Sequence, residues 1–125
     1  MERKTEQRDA IRKAFLETKR PLSVQEIFSI TKKQIPKMGI ATIYRNLKIL
    51  IKNGWLVLVE LPGESGRYEM ANLDHHHHFC CTKCNRIFDI SDCPKNIEDL
   101  VPEGFSLDRH DITLYGLCEE CNKNK

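Results

Sequence analysis

Between Thr5 and Thr18 the apolar residues Ala10, Ile11, Ala14 and Phe15 recur every three or four positions among charged ones, which predicts an amphipathic helix. Arg20-Pro21 ends it, since the residue before a proline is driven out of helical backbone. Ser23-Val24-Gln25-Glu26 then reads as a capping box, in which the serine hydroxyl accepts a backbone N–H and Glu26 reaches back. Val24, Ile27, Phe28 and Ile30 form the buried stripe of this second helix. After a basic loop at Lys32–Gly39, the residues Ile40, Ile43, Leu47, Leu50 and Ile51 predict a third helix, which Gly54 stops. Two β-rich runs follow, Trp55–Glu60 and Arg67–Met70, around a turn at Pro62–Gly66. Three helices and a hairpin in this order predict a winged helix-turn-helix unit.

From Asn72 onward the pattern changes. Strands are expected at His75–Cys81, Arg86–Ile90 and Phe105–Tyr115, a turn at Thr82–Asn85, and a helix at Pro94–Val101 capped by Ser91 or Asp92. The expected fold class is therefore α+β, with a winged-helix domain over residues 1–71 and a small α+β domain over 72–125.

Charge sharpens this division. Residues 1–52 carry 13 basic and 5 acidic side chains, a net of +8, and the rest carry 7 and 13, a net of −6. The first part suits a polyanion and the second suits cations. On the outer face of the third helix, Thr42, Tyr44, Arg45, Asn46, Lys48 and Lys52 are groups that reach phosphates and base edges, so double-stranded DNA is the expected partner. No apolar run approaches the ~20 residues of a membrane span, and no signal-like apolar segment follows the basic start, so a cytoplasmic protein without membrane contact is expected.

A reducing compartment turns the cysteines from disulfide candidates into metal ligands. Cys81-Thr82-Lys83-Cys84 and Cys118-Glu119-Glu120-Cys121 are two Cys-x-x-Cys knuckles, and four thiolates complete the closed shell of a structural zinc ion. Cys80 and Cys93 are left as core or surface thiols. The run His75-His76-His77-His78 leads straight into the first knuckle. On a strand its side chains alternate, so His76 and His78 share one face and His75 and His77 the other. Glu69 and Asp89, on the flanking strands, are companions for the first pair and make a mixed nitrogen and oxygen set that suits Fe(II), Mn(II) or Zn(II). His110 is the natural third ligand for the second pair, with Glu98 as a fourth.

Gly39-Ile40-Ala41-Thr42-Ile43-Tyr44-Arg45-Asn46-Leu47, Arg67-Tyr68-Glu69, the four histidines before Cys81, and Leu114-Tyr115-Gly116-Leu117-Cys118 resemble, in order and spacing, the ferric uptake regulator (Fur) superfamily of bacterial metal-dependent repressors. The resemblance implies a homodimer, N-terminal winged helices on an inverted-repeat operator, and C-terminal dimerisation domains. It implies that Tyr44 and Arg45 contact DNA and that Cys81, Cys84, Cys118 and Cys121 hold structural zinc. It also implies that Glu69, His76, His78 and Asp89 form the regulatory site and that His75, His77 and His110 belong to an additional one. Two departures stand out. The histidine that the DNA-binding domain usually adds to the regulatory site is Pro21 here, and in the additional site His77 replaces a carboxylate while a further carboxylate position falls at Asn96. Asp89 leans toward the peroxide-sensing members, so an iron or peroxide response is expected first and zinc-uptake regulation second.

Other classes fit less well. A zinc hydrolase needs a general base and an open metal position, and there is no helical His-Glu-x-x-His pair. A DNA-inert metal buffer, or a constitutive DNA binder with an uncoupled switch, would follow if the loss at Pro21 severs metal from DNA binding.

Overall fold

The computed structural model describes residues 2–61 and 66–123, with side chains from residue 5 on. The described chain forms two compact units, Met1–Leu73 and Asp74–Lys125.

The first unit runs α1 (Glu2–Thr18), α2 (Val24–Thr31), α3 (Ile40–Lys52), β1 (Leu56–Val59) and β2 (Arg67–Met70). The apolar stripe predicted for α1 is the buried one: Ala10, Ile11, Ala14 and Phe15 are all within the core. Lys19 terminates α1 in left-handed backbone with φ 55°, its N–H donating to Phe15 O at 2.9 Å. The capping box of α2 is complete. The Glu26 N–H donates to Ser23 Oγ at 3.2 Å, and the Ser23 N–H donates to Glu26 Oε1 at 3.1 Å. Arg20 Nη2 adds an ion pair to Glu26 Oε2 at 2.7 Å. Ser23→Ala is therefore expected to cost about 1 kcal/mol of unfolding free energy, read as a lower urea midpoint with an unchanged slope.

In α3, Ile43, Leu47 and Leu50 face inward against α1 and α2, and Gly54, at φ 79°, turns the chain out of the helix as expected. Trp55 meets Phe15 edge-on at 6.3 Å between ring centroids. β1 and β2 pair antiparallel, with Leu56 opposite Met70 and Val59 opposite Arg67. A further isolated bridge joins Leu22 to Tyr68, each donating its N–H to the other's carbonyl at 2.8 Å. The hairpin is thus fastened to the linker between α1 and α2. Except for Gly66, the turn expected at Pro62–Gly66 lies outside the described residues.

The second unit contains β3 (His77–Cys81), β4 (Ile87–Ile90), a single 3-10 turn (Ile97–Leu100), β5 (Thr113–Gly116) and α4 (Glu119–Lys123). The sheet order is β4-β3-β5, antiparallel on one side of β3 and parallel on the other. Three expectations are corrected. β3 begins at His77 rather than His75, because its ladder with β4 ends at the pair His77 and Ile90. The strand expected from Phe105 shrinks to Thr113–Gly116, since β3 offers a pairing edge only from His78 to Cys81. The helix expected at Pro94–Val101 is one 3-10 turn without a side-chain cap, and Leu100 is 77 % exposed, so there is no packed face to sustain more. The short α4 was not anticipated. At the centre of the unit are sulfur atoms: Cys81, Cys118 and Cys121 are buried against Cys84, Phe88 and Leu117.

Candidate metal centres and nucleic-acid face

Both knuckles sit where the sheet turns back. Thr82–Asn85 closes the first, with the Asn85 N–H donating to Cys81 O and Asn85 itself at φ 64°. β5 then delivers Cys118 beside it, and the first turn of α4 delivers Cys121. The four ligand sulfurs lie within 4.8 Å of one another, and Cys84 Sγ is 3.9 Å from Cys118 Sγ. A tetrahedron with Zn–S bonds of ~2.3 Å has edges of about 3.8 Å, so this donor set fits the ion.

The electrostatics agree. Backbone N–H groups, that of Cys84 first, hold the Cys81 thiol down at about 5, whereas burial first and the neighbouring sulfurs next push Cys121 up to about 12. One thiolate is favoured and a cluster of them is not, until a divalent cation supplies the missing positive charge. Arg86, which the sequence did not single out, covers the group. Its Nε donates to Cys84 Sγ at 3.1 Å, and its Nη2 reaches Cys118 Sγ at 3.8 Å and Glu120 Oε2 at 3.1 Å. Hydrogen bonds to Cys84 and Glu120 raise the guanidinium pKa further.

The histidine run divides into two groups: His77 and His78 point to opposite faces of β3, and His75 and His76, which precede the strand, join His77 and His78 respectively. His76 Nε2 and His78 Nε2 lie 3.6 and 3.5 Å from the same oxygen, Asp89 Oδ1, since His78 and Asp89 are cross-strand partners. His76 Nδ1–H donates to Asp74 O at 2.8 Å, which leaves the Nε2 lone pair on the Asp89 side and ready to ligate. Glu69 belongs to the first unit. It is 6 % exposed on β2, on the same face as buried Arg67 two residues earlier.

On the other face, His75, His77 and His110 do come together, with ring centroids 4.6 to 5.0 Å apart. Burial first, then His75 and His110, lower the pKa of His77, so its neutral, ligating form is favoured. Glu98 is not in this group: it is exposed on the 3-10 turn. Cys93 stands there instead, with Sγ 3.0 Å from His110 Nε2 and 3.4 Å from His77 Nε2. No spacing pattern could have found it, because it lies 16 residues from His77 and 17 from His110.

On α3, Tyr44, Arg45, Lys48 and Lys52 are exposed, and Arg45 Nη2 rests on Thr42 Oγ1 at 3.0 Å. Asn46 is a correction. It is 5 % exposed, donates from Nδ2 to Thr42 O at 2.9 Å and accepts from Arg8 Nε at 3.2 Å. Its position between Ile43 and Leu47 puts it on the buried stripe, where it ties α3 to α1 rather than facing solvent.

The family model described as the ferric uptake regulator family matches residues 2–115. The chain belongs to the ferric uptake regulator family. Among this family's members it is 30 % identical to the ferric uptake regulation protein of Bordetella parapertussis, over 94 % of this chain and 84 % of that one. It is also 30 % identical to the peroxide-responsive repressor PerR of Staphylococcus aureus, over 94 % and 80 %. The solved structure of the Helicobacter pylori ferric uptake regulator Fur, reported to have three functional metal binding sites, superposes with a TM-score of 0.68 at 27 % identity, covering 94 % of this chain and 80 % of that one. Membership makes this Fur-family chain a metal-dependent transcriptional regulator with an α+β fold.

Proposed function

We propose that the chain is a homodimeric, cytoplasmic repressor that grips an inverted-repeat operator through α3 when a divalent ion is held by Glu69, His76, His78 and Asp89. The observation that carries this reading is the pair of histidines converging on Asp89 Oδ1. Nitrogen and carboxylate oxygen donors suit Fe(II) or Mn(II), with Zn(II) as the competing ion. Buried Glu69 is the carboxylate that the family resemblance adds, and a buried carboxylate is stable only with a cation or donors about it. The first unit carries the DNA face and Glu69, and the second carries the histidine, aspartate and cysteine ligands.

The four cysteines would hold a structural zinc. Four thiolates leave that ion no open position, so its role is structural rather than catalytic. A second copy of the chain is favoured by the apolar surface of the second unit, where Leu100, Phe105, Leu107, Leu114 and Tyr115 are all exposed. Leu114 and Tyr115 lie on β5, an edge strand of the sheet. Among the described residues, no helix is long and apolar enough to cross a membrane.

The test is operator affinity measured anaerobically, with the zinc of the four-cysteine site retained, against Fe(II), Mn(II) and Zn(II), followed by peroxide. Tightening by Fe(II) or Mn(II), reversed by peroxide in the iron form alone, is the expected result. Affinity indifferent to all three ions would mean that the loss at Pro21 has uncoupled the switch. Tightening by Zn(II) alone would favour zinc-uptake control. In the same assay Arg45→Ala is expected to lose about 1–3 kcal/mol on the operator and little on unrelated DNA; an equal loss on both would reduce Arg45 to a phosphate contact.

A further inference from the structure

The family resemblance puts His75, His77 and His110 in an additional site, but it does not supply the sulfur that the structure places among them. Cys93 Sγ lies 3.0 Å from His110 Nε2, 3.4 Å from His77 Nε2 and 3.8 Å from His75 Nε2, and the His75 and His110 Nε2 atoms are 3.2 Å apart. All four ligand atoms lie within 4.8 Å of one another. A tetrahedral zinc with Zn–N bonds of ~2.05 Å and a Zn–S bond of ~2.3 Å has N–N edges of about 3.4 Å and N–S edges of about 3.6 Å. The observed N–S separations bracket the second value, and the N–N separation lies just below the first. Three imidazole nitrogens and a sulfur converging this closely otherwise crowd lone pairs that only shared protons could reconcile.

We propose that His75, His77, His110 and Cys93 form a three-nitrogen, one-thiolate site for zinc(II), and that oxidation of Cys93 by a hydroperoxide is what opens it. The thiolate sets the metal class, because sulfur favours zinc over the harder ions that the His76, His78 and Asp89 set accommodates. The two ion sites on opposite faces of the histidine run therefore differ in kind.

Exposure sets the redox role. Of the six cysteines Cys93 is the exposed one, while the four of the paired knuckles are buried or half-buried and Cys80 is buried. A thiolate open to solvent is the first to meet a peroxide. The Cys93 sulfur attacks one peroxide oxygen, an S–O bond forms as the O–O bond breaks, and sulfur gives up two electrons. The departing oxygen leaves as hydroxide, and the sulfenic acid that remains is a poor ligand. A thiol reductant restores the thiolate.

His77 supplies an independent readout. Its Nδ1 accepts the Ile112 N–H at 3.1 Å, so the ring proton sits on Nε2, directed at Cys93. Ligation through Nε2 moves that proton to Nδ1 and breaks the bond to Ile112, the residue that leads into β5.

The experiment uses the full-length protein with zinc retained in the four-cysteine site and Co(II) as the probe, followed by Zn(II) competition. A sulfur-to-cobalt charge-transfer band is expected in the wild type and in His76→Ala, and is expected to vanish in Cys93→Ala. A band that survives Cys93→Ala, or a wild-type spectrum of nitrogen and oxygen ligation alone, overturns the ligand assignment. Amide exchange at Ile112 should quicken on metal binding; unchanged exchange would exclude His77 from the shell. With zinc bound, peroxide should release one equivalent with Cys93 as the oxidised residue by mass spectrometry, reversibly with a thiol reductant. Retention of that zinc, or earlier oxidation of Cys81, Cys84, Cys118 or Cys121, overturns the redox role. None of these readouts uses DNA, so failure of the switch proposed above leaves them interpretable.

Discussion

Cys118→Ser, or removal of metal by a strong chelator, is expected to unfold the second unit and leave the first folded. The sulfur cluster is central to the second unit: Cys81, Cys118 and Cys121 are buried together, flanked by Cys84, Phe88 and Leu117, and among the described residues only Cys80, Ile87 and His77 are buried beside them. A structural zinc contributes roughly 10–16 kcal/mol of apparent binding free energy, and a unit this small has too little apolar core to substitute for it. The first unit, in contrast, buries eleven apolar residues of its own, from Ala10 to Leu56. The chain's single tryptophan, Trp55, is partly buried against that core and reports on the first unit. Its emission should be unchanged while amide protection across β3, β4 and β5 is lost. Retained protection in Cys118→Ser would show that the sulfur cluster does not hold the unit together.

Leu47→Ala is expected to have the complementary effect, destabilising the first unit by about 2–5 kcal/mol while metal content stays constant. Leu47 is 1 % exposed at the centre of α3, so its truncation leaves a cavity under the helix that carries Tyr44 and Arg45. In so small a unit, a loss of this size brings the unfolded state within reach at growth temperature. Operator affinity should fall as Trp55 emission shifts, and both should recover on cooling. A change below about 1 kcal/mol would mean that the site collapses around the missing methyl groups.

What the sequence disclosed, and what it withheld, follows from how local each signal is. The Ser23 capping box, the Gly54 stop and the two knuckles are decided within a few residues, and each occurs where its pattern implies. The grouping expected of the histidine run, His76 with His78 and His75 with His77, is present in the structure, although only His77 and His78 lie on β3. Asn46 misled because its chemistry suits DNA, while its place between Ile43 and Leu47 puts it on the buried stripe, where Arg8, 38 residues away, satisfies its amide oxygen. Cys93 was invisible because a lone cysteine acquires meaning only once β5 brings His110 back beside β3. The helix expected at Pro94–Val101 had a cap and a proline in the right places, but no neighbour to cover Leu100. Glu98 failed as a ligand together with that helix.

The bridge between Leu22 and Tyr68 has a mechanical consequence. Pro21 is fully buried and Leu22 is locked to the hairpin by two short hydrogen bonds. Tyr68 is directly followed by Glu69, and Leu22 is directly followed by the Ser23 cap of α2. The backbone next to Glu69 is therefore hydrogen-bonded, through Tyr68 and Leu22, to the segment that starts α2, so a displacement of β2 at Glu69 is expected to be felt at the α2 cap. Pro21→His would put a larger, polar side chain into a fully buried position beside this bridge, so it is expected to loosen the hairpin from the start of α2.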